Sequence, residues 1–173
     1  MDHTLQIVLN LLVVALLVFL NGFFVAAEFA IVKIRDTQLE PLVIKGHKRA
    51  KTARRVIDNL DAALSGCQLG ITLASLGLGW VGEPVFATLL HPVMEWLQIK
   101  SPEAQHRIAF GVGFSAITFL HIVVGEQAPK FLAIKRPLPT TLWIAQPLEW
   151  FYRISAPFIW ILKHSSEWLV RRV

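Results

Sequence analysis

The stretch TFLHIVVGEQAPK, Thr118 to Lys130, is an apolar run that stops at Gly125-Glu126 and then meets Pro129. An acid near the middle of a spanning helix costs roughly 2.5–3.5 kcal/mol on insertion scales, so an intramembrane Glu126 points to a function, and holding a cation is the natural one. Gly125 permits close backbone approach, and Pro129 lacks the N–H that would bond the Gly125 carbonyl. Irregular backbone at membrane depth is tolerated only where protein or a water-filled cavity covers it, so the stretch should face inward. The rival reading is a helix that ends at the interface, with Glu126 in water and Lys130 as its anchor.

Working outward, the whole chain has the composition of a membrane protein. It is 54% apolar and 17% charged, with a mean hydropathy of +0.54, whereas a soluble domain carries about 25% charge. The net charge of +5 is distributed as cytoplasmic loops require. Of the 17 Lys and Arg, eight lie between Lys33 and Arg55, seven lie from Lys130 onward, and only Lys100 and Arg107 fall elsewhere. That bias predicts an N-terminus outside and a C-terminus inside. Nucleic-acid binding is disfavoured because no stacking aromatics interleave the basic block. The single cysteine, Cys67, excludes an internal disulfide and reads as a small packing residue.

Leu5 to Ile31 is a nearly uncharged run, about 40 Å long as a helix, with no basic region before it, and is read as a span rather than a signal peptide. Asn10, Asn21 and Glu28 share one of its faces. Pro41 and Gly46 divide the polar stretch that follows into two short cytoplasmic helices within 37–59, the second basic enough to lie on anionic headgroups. The second span, about 60–80, is rich in small and hydroxyl residues. Ser65, Gln68, Thr72 and Ser75 form one stripe, and Gly66 and Gly70 make a GxxxG step that lets another helix approach.

Val81 to Gln98 reads as an amphipathic helix at the outer surface, with continuation of the second span as the alternative. Ser101 is a plausible N-cap before Pro102. The third span is expected over about 106–124, with Gly111, Ser115, Thr118 and Gly125 on one stripe and His121 beside it as a packed, hydrogen-bonded core histidine. The final segment, about 138–170, is interrupted by Pro139, Pro147 and Pro157 and carries charges and many tryptophans. It is expected to be a bent juxtamembrane helix. The predicted fold is therefore an all-α membrane protein with three transmembrane helices, a short cytoplasmic helix pair and a C-terminal juxtamembrane helix.

Asn21-Gly22-Phe23-Phe24 with Ala27-Glu28, Gln68-Leu69-Gly70-Ile71-Thr72-Leu73, and Gly125-Glu126 with Pro129-Lys130 together resemble the transmembrane module of the CorC/CNNM (DUF21) cation-transporter family, in its hemolysin-like branch. The resemblance covers essentially the whole chain. It implies a homodimer in the lipid bilayer of the cell membrane that exports Mg2+, coupled to Na+ entry, with gating CBS and CorC–HlyC domains on the cytoplasmic side lying outside these 173 residues. The chain departs from many relatives at Val25-Ala26-Ala27, where they carry a serine before the glutamate, and at Ile71 and Ser75, where they carry asparagines. Mg2+ takes octahedral oxygen ligands at about 2.0–2.1 Å and keeps some of its water. The candidate ligands are accordingly Glu126, the Gly125 carbonyl, Thr72, Ser75, Ser115 and Asn21.

Some members of that branch are linked to polyamine export, and a carboxylate in a roomy polar cavity suits an ammonium too. A non-transporting membrane scaffold is a further alternative, but Glu126 and the hydroxyl stripes are hard to motivate in a passive anchor. An intramembrane enzyme is disfavoured and no catalytic residue is assigned. His121 and Glu126 stand five apart on a helix, and no nucleophile or HExxH pairing accompanies them.

Overall fold

The computed structural model describes residues 3–97 and 101–172, so Lys100 and the end of the expected surface helix at Gln98 lie outside the described residues. The described residues form α1 (His3–Lys33), α2 (Asp36–Ile44), α3 (Lys48–Asp58), α4 (Leu60–Trp96), α5 (Pro102–Leu120), a π-helical segment (His121–Gln127), α6 (Ala128–Lys135) and α7 (Pro137–Val170). Among the described residues, three stretches are long and apolar enough to cross a membrane: Leu5–Lys33, Leu60–Trp96 and Glu103–Lys135. On α1, Leu5, Leu9, Leu12, Leu16 and Phe19 are exposed while Val14 and Val18 are buried. That is the pattern of a helix with one face on protein and one face left for lipid.

Two boundaries differ from those read in the sequence. The helix of the second span does not end near Trp80 with a separate surface helix after it; of the two readings of that stretch, continuation holds. Instead α4 continues to Trp96 through Pro84 and Pro92. A proline removes one helical hydrogen bond and crowds the carbonyl four residues back, which bends a helix without ending it when neighbouring turns hold. The same holds in α7, which continues through Pro147 and Pro157. Likewise the third span does not stop at Val124, because α5, the π segment and α6 run in sequence to Lys135. The helix therefore does not end at Glu126, as the rival reading of that stretch required. At its other end Ser101 caps α5, its hydroxyl accepting from the Ala104 N–H at 3.4 Å.

The chain divides into two compact units, Met1–Gly22 with Thr72–Ala128, and Phe23–Ile71 with Pro129–Val173. In the first, Val14, Val18, Leu78 and Val85 form the core, with Leu17, Val81 and Ile117 packed against it. In the second, Phe24, Ala27, Ile31, Cys67, Ile144 and Leu148 are among the residues of one core, so Cys67 is the packing residue expected. Gly70 lies directly against the Phe24 ring there, which is the close approach that the GxxxG step allows. Leu39, Ala50, Ala53 and Ala145 form a smaller core under α2 and α3. Gly46, with φ +82°, makes the turn between those helices.

Within the second unit, Glu149 of α7 accepts from Arg55 Nε and Nη2 at 3.1 and 3.0 Å and from Arg153 Nη2 at 3.0 Å. The Arg55 hydrogen bonds hold the Glu149 carboxyl below the usual carboxylate range and push the Arg55 guanidinium upward. Lys130 Nζ sits 4.7 Å from the centroid of the Phe29 ring.

Candidate functional site

The polar centre of the first unit is built on the π-helical segment His121–Gln127. The Ala128 N–H bonds the Val123 carbonyl, five residues back, and Pro129 has no N–H to offer Gly125. The carbonyl that the sequence suggested would be released is instead engaged from α1. Asn21 Nδ2 donates to Gly125 O at 2.9 Å in a buried hydrogen bond. Asn21 is 1% exposed, deep enough that both ends of its amide need partners. The other end has one, because Ser75 Oγ on α4 donates to Asn21 Oδ1 at 3.2 Å. The same hydroxyl lies 3.1 Å from His121 Nε2. Single-turn π segments inside α-helices are frequent at functional sites, since the extra residue turns carbonyls out of the helical ladder.

Gly125 is buried, and a side chain there would press on the group. A Cβ there would stand 3.1 Å from Asn21 Nδ2, 3.5 Å from His121 Cδ2 and 3.7 Å from the Val18 carbonyl oxygen. Beside this group lies a cavity of about 370 Å³ lined by Ser75, Leu78, Gly79, Phe110, Phe114, Ile117, Thr118 and His121. Phe110 and Phe114 stack on its wall with centroids 5.9 Å apart.

Of the residues singled out as ligands, Asn21, Ser75 and Gly125 are brought together. Glu126 is the next residue on the π segment, half-buried, and makes no hydrogen bond or ion pair among the described residues. Thr72 is exposed on α4, with its polar group engaged. Ser115 is not joined to the group, since it is exposed and its hydroxyl donates to the Gly111 carbonyl at 2.8 Å. His121, expected to be a packed, hydrogen-bonded histidine, is half-buried and finds its partner in Ser75 of this polar group. It stands one helical turn before Gly125, the spacing that puts two residues on one helix face. Among the described residues, no three His, Cys, Asp or Glu side chains gather as metal ligands, so the assembled group offers chiefly neutral oxygens. Such oxygens suit a hard cation better than a transition metal.

Three bilayer-length helices, one carrying a π-helical turn whose carbonyl is held by a buried asparagine, define a multi-pass α-helical membrane domain organised around a polar site. The chain belongs to the CNNM family: residues 11–173 match the Cyclin M transmembrane N-terminal domain. Two similar proteins come from Bacillus subtilis (strain 168). The UPF0053 protein YugS is 47% identical over 166 residues, covering 96% of this chain and 38% of YugS. The UPF0053 protein YhdT is 50% identical over 160 residues, covering 92% and 34%. The uncharacterized protein MT1889 of Mycobacterium tuberculosis (strain CDC 1551 / Oshkosh) is 34% identical over 162 residues, covering 94% and 46%. This chain thus spans less than half the length of each of these relatives.

Proposed function

We propose that the domain carries a cation across the bilayer, with Mg2+ export coupled to Na+ entry as the reading best supported, through a site formed by Gly125, Glu126, Asn21 and Ser75. The observation that carries it is the Gly125 carbonyl, left without a donor from Pro129 and held by Asn21 at 2.9 Å, beside a half-buried carboxylate in a span-length helix. A passive anchor gains nothing from a charge at that depth. Mg2+ surrenders water reluctantly and is held through one or two carboxylates plus neutral oxygens and retained waters, which is the inventory these residues offer. Family membership and the basic residues after the first and third spans support a multi-pass domain with its N-terminus outside. The exposed small residue Gly79 and the open space around Gly111 favour a second copy covering α4 and α5 in a homodimer. The greater length of the relatives leaves room for the cytoplasmic CBS and CorC–HlyC domains that the resemblance implies.

One observation favours a second cargo, an organic ammonium such as a polyamine. The cavity of about 370 Å³ presents Phe110 and Phe114 beside Ser75 and His121, and aromatic faces attract such cations.

The test is uptake by proteoliposomes holding the protein that carries this domain, with Mg2+, Na+ and a polyamine compared at matched ionic strength. Mg2+ flux that depends on a Na+ gradient and is lost in Glu126→Gln is expected. Polyamine flux without Mg2+ flux would select the second cargo. Wild-type rates in Glu126→Gln would leave a scaffold or a different pathway.

A further inference from the structure

We infer that His121, acting through Ser75, sets the direction of a hydrogen-bond relay that ends on the Gly125 carbonyl, and that a cation at that oxygen reverses this relay. The inference rests on the reading that a cation takes the Gly125 oxygen.

The direction follows from what each atom can do. A carbonyl oxygen only accepts, so the NH2 end of Asn21 must face Gly125, as it does at 2.9 Å. The amide oxygen is thereby left towards Ser75. Because that oxygen also only accepts, the single hydroxyl hydrogen of Ser75 is directed to it, at 3.2 Å. His121 Nε2, 3.1 Å from the same hydroxyl oxygen, must then be the donor and carry a hydrogen. One carbonyl thus polarises the whole series, from His121 N–H to Ser75 O–H to Asn21 C=O, and from Asn21 N–H to Gly125.

A cation at the Gly125 oxygen repels the positive NH2 end of the amide beside it and attracts the amide oxygen instead. Turning the Asn21 amide end for end offers its oxygen to the cation and its NH2 to Ser75. Ser75 then turns its hydrogen towards its other neighbour at 3.1 Å, His121, whose Nε2 is bare in that arrangement. A neutral imidazole accommodates this by carrying its one hydrogen on Nδ1. His121 is therefore a positioning residue rather than a ligand. The other groups lining its cavity, Leu78, Gly79, Phe110, Phe114, Ile117 and Thr118, are uncharged, and Glu126 follows on its own segment. Ser75 is the group at hydrogen-bond distance from the ring, 3.1 Å from Nε2.

The deciding measurement is the 15N shift of the His121 ring in the protein in nanodiscs, with and without Mg2+, beside a Mg2+ titration of His121→Leu and His121→Gln. Saturating Mg2+ is expected to convert Nε2 from protonated to bare. His121→Leu should weaken Mg2+ binding about tenfold, the equivalent of one unmade hydrogen bond, while His121→Gln stays close to wild type because an amide both donates and accepts. Mg2+ binding with Nε2 still protonated overturns the relay alone, as does a folded His121→Leu that binds like wild type. If the wild type binds no Mg2+ at all, the transport reading fails and the relay with it. Should His121→Leu not fold, the wild-type ring shift still decides.

Discussion

Asn21 Nδ2 lies 2.9 Å from the Gly125 carbonyl oxygen, joining two residues 104 positions apart in a buried side chain to main chain hydrogen bond. Removing the amide strands that carbonyl and deprives Ser75 of its acceptor. Asn21→Ala is therefore expected to lower the stability of the domain by about 1–3 kcal/mol, the cost of buried polar groups left unpaired. Thermal unfolding in detergent reads this directly, and an unchanged midpoint would mean that water replaces the amide.

Gly70 and Gly66 belong to one GxxxG step but meet different surroundings. A Cβ at Gly70 would come within 2.5 Å of three atoms of the Phe24 ring, whereas at Gly66 the nearest neighbour is Ile159 Cδ1 at 3.8 Å. Phe24 cannot retreat easily, being 6% exposed and set against Phe23 and Phe151 with centroids 5.1 and 4.7 Å away. Gly70→Ala should destabilise by about 1–3 kcal/mol through overpacking, and Gly66→Ala should be near neutral. Equal melting temperatures for the two variants would contradict this packing.

Glu149 ties α3 to α7 through Arg55, and the Arg55 hydrogen bonds hold its carboxyl below the ordinary value of 4.5. A carboxyl whose folded value is depressed adds stability that is complete above its unfolded value and disappears as pH falls through the folded one. Glu149→Gln should accordingly melt below wild type at neutral pH, by a modest margin because both arginines are largely exposed. That gap should close on acidification through and below the carboxylate range. A gap of the same size in acid would assign the effect to packing instead of charge.

The three spans are legible in the sequence because nearly uncharged runs of that length have no stable place in water. The irregularity at Gly125 is legible as well, since glycine and proline there act on a local rule. What local rules do not carry is the continuation of α4 past Trp80 and of the third helix past Val124. Pro84 and Pro92 lie inside α4 and Pro129 inside α6, and a proline bends a helix without ending it when neighbouring turns hold. His121 was the harder case. Its place beside the small-residue stripe was evident, yet its partner Ser75 stands 46 residues earlier, and helical periodicity relates residues within one helix only. Ser115 shows the converse, a hydroxyl on the right stripe whose hydrogen is satisfied within its own helix by Gly111.

These placements rank the candidate ligands. Glu126 would supply charge, and no water can replace it, so Glu126→Gln is expected to abolish Mg2+ protection against thermal unfolding while the protein still folds. Glu28 lies near the end of the first span, and Glu28→Gln should be milder. Ser75 touches both Asn21 and His121, so Ser75→Ala should weaken apparent affinity by about 1–2 kcal/mol. Thr72 is exposed and otherwise engaged, and Thr72→Val should cost less because water can take the place of one neutral oxygen. Ser115→Ala should leave affinity unchanged, since its hydroxyl serves the Gly111 carbonyl. Ligand-induced shifts in melting temperature across a Mg2+ series give all five values on one scale. A Ser115→Ala loss as large as that of Ser75→Ala would move the site away from the π-helical turn and towards the middle of α5.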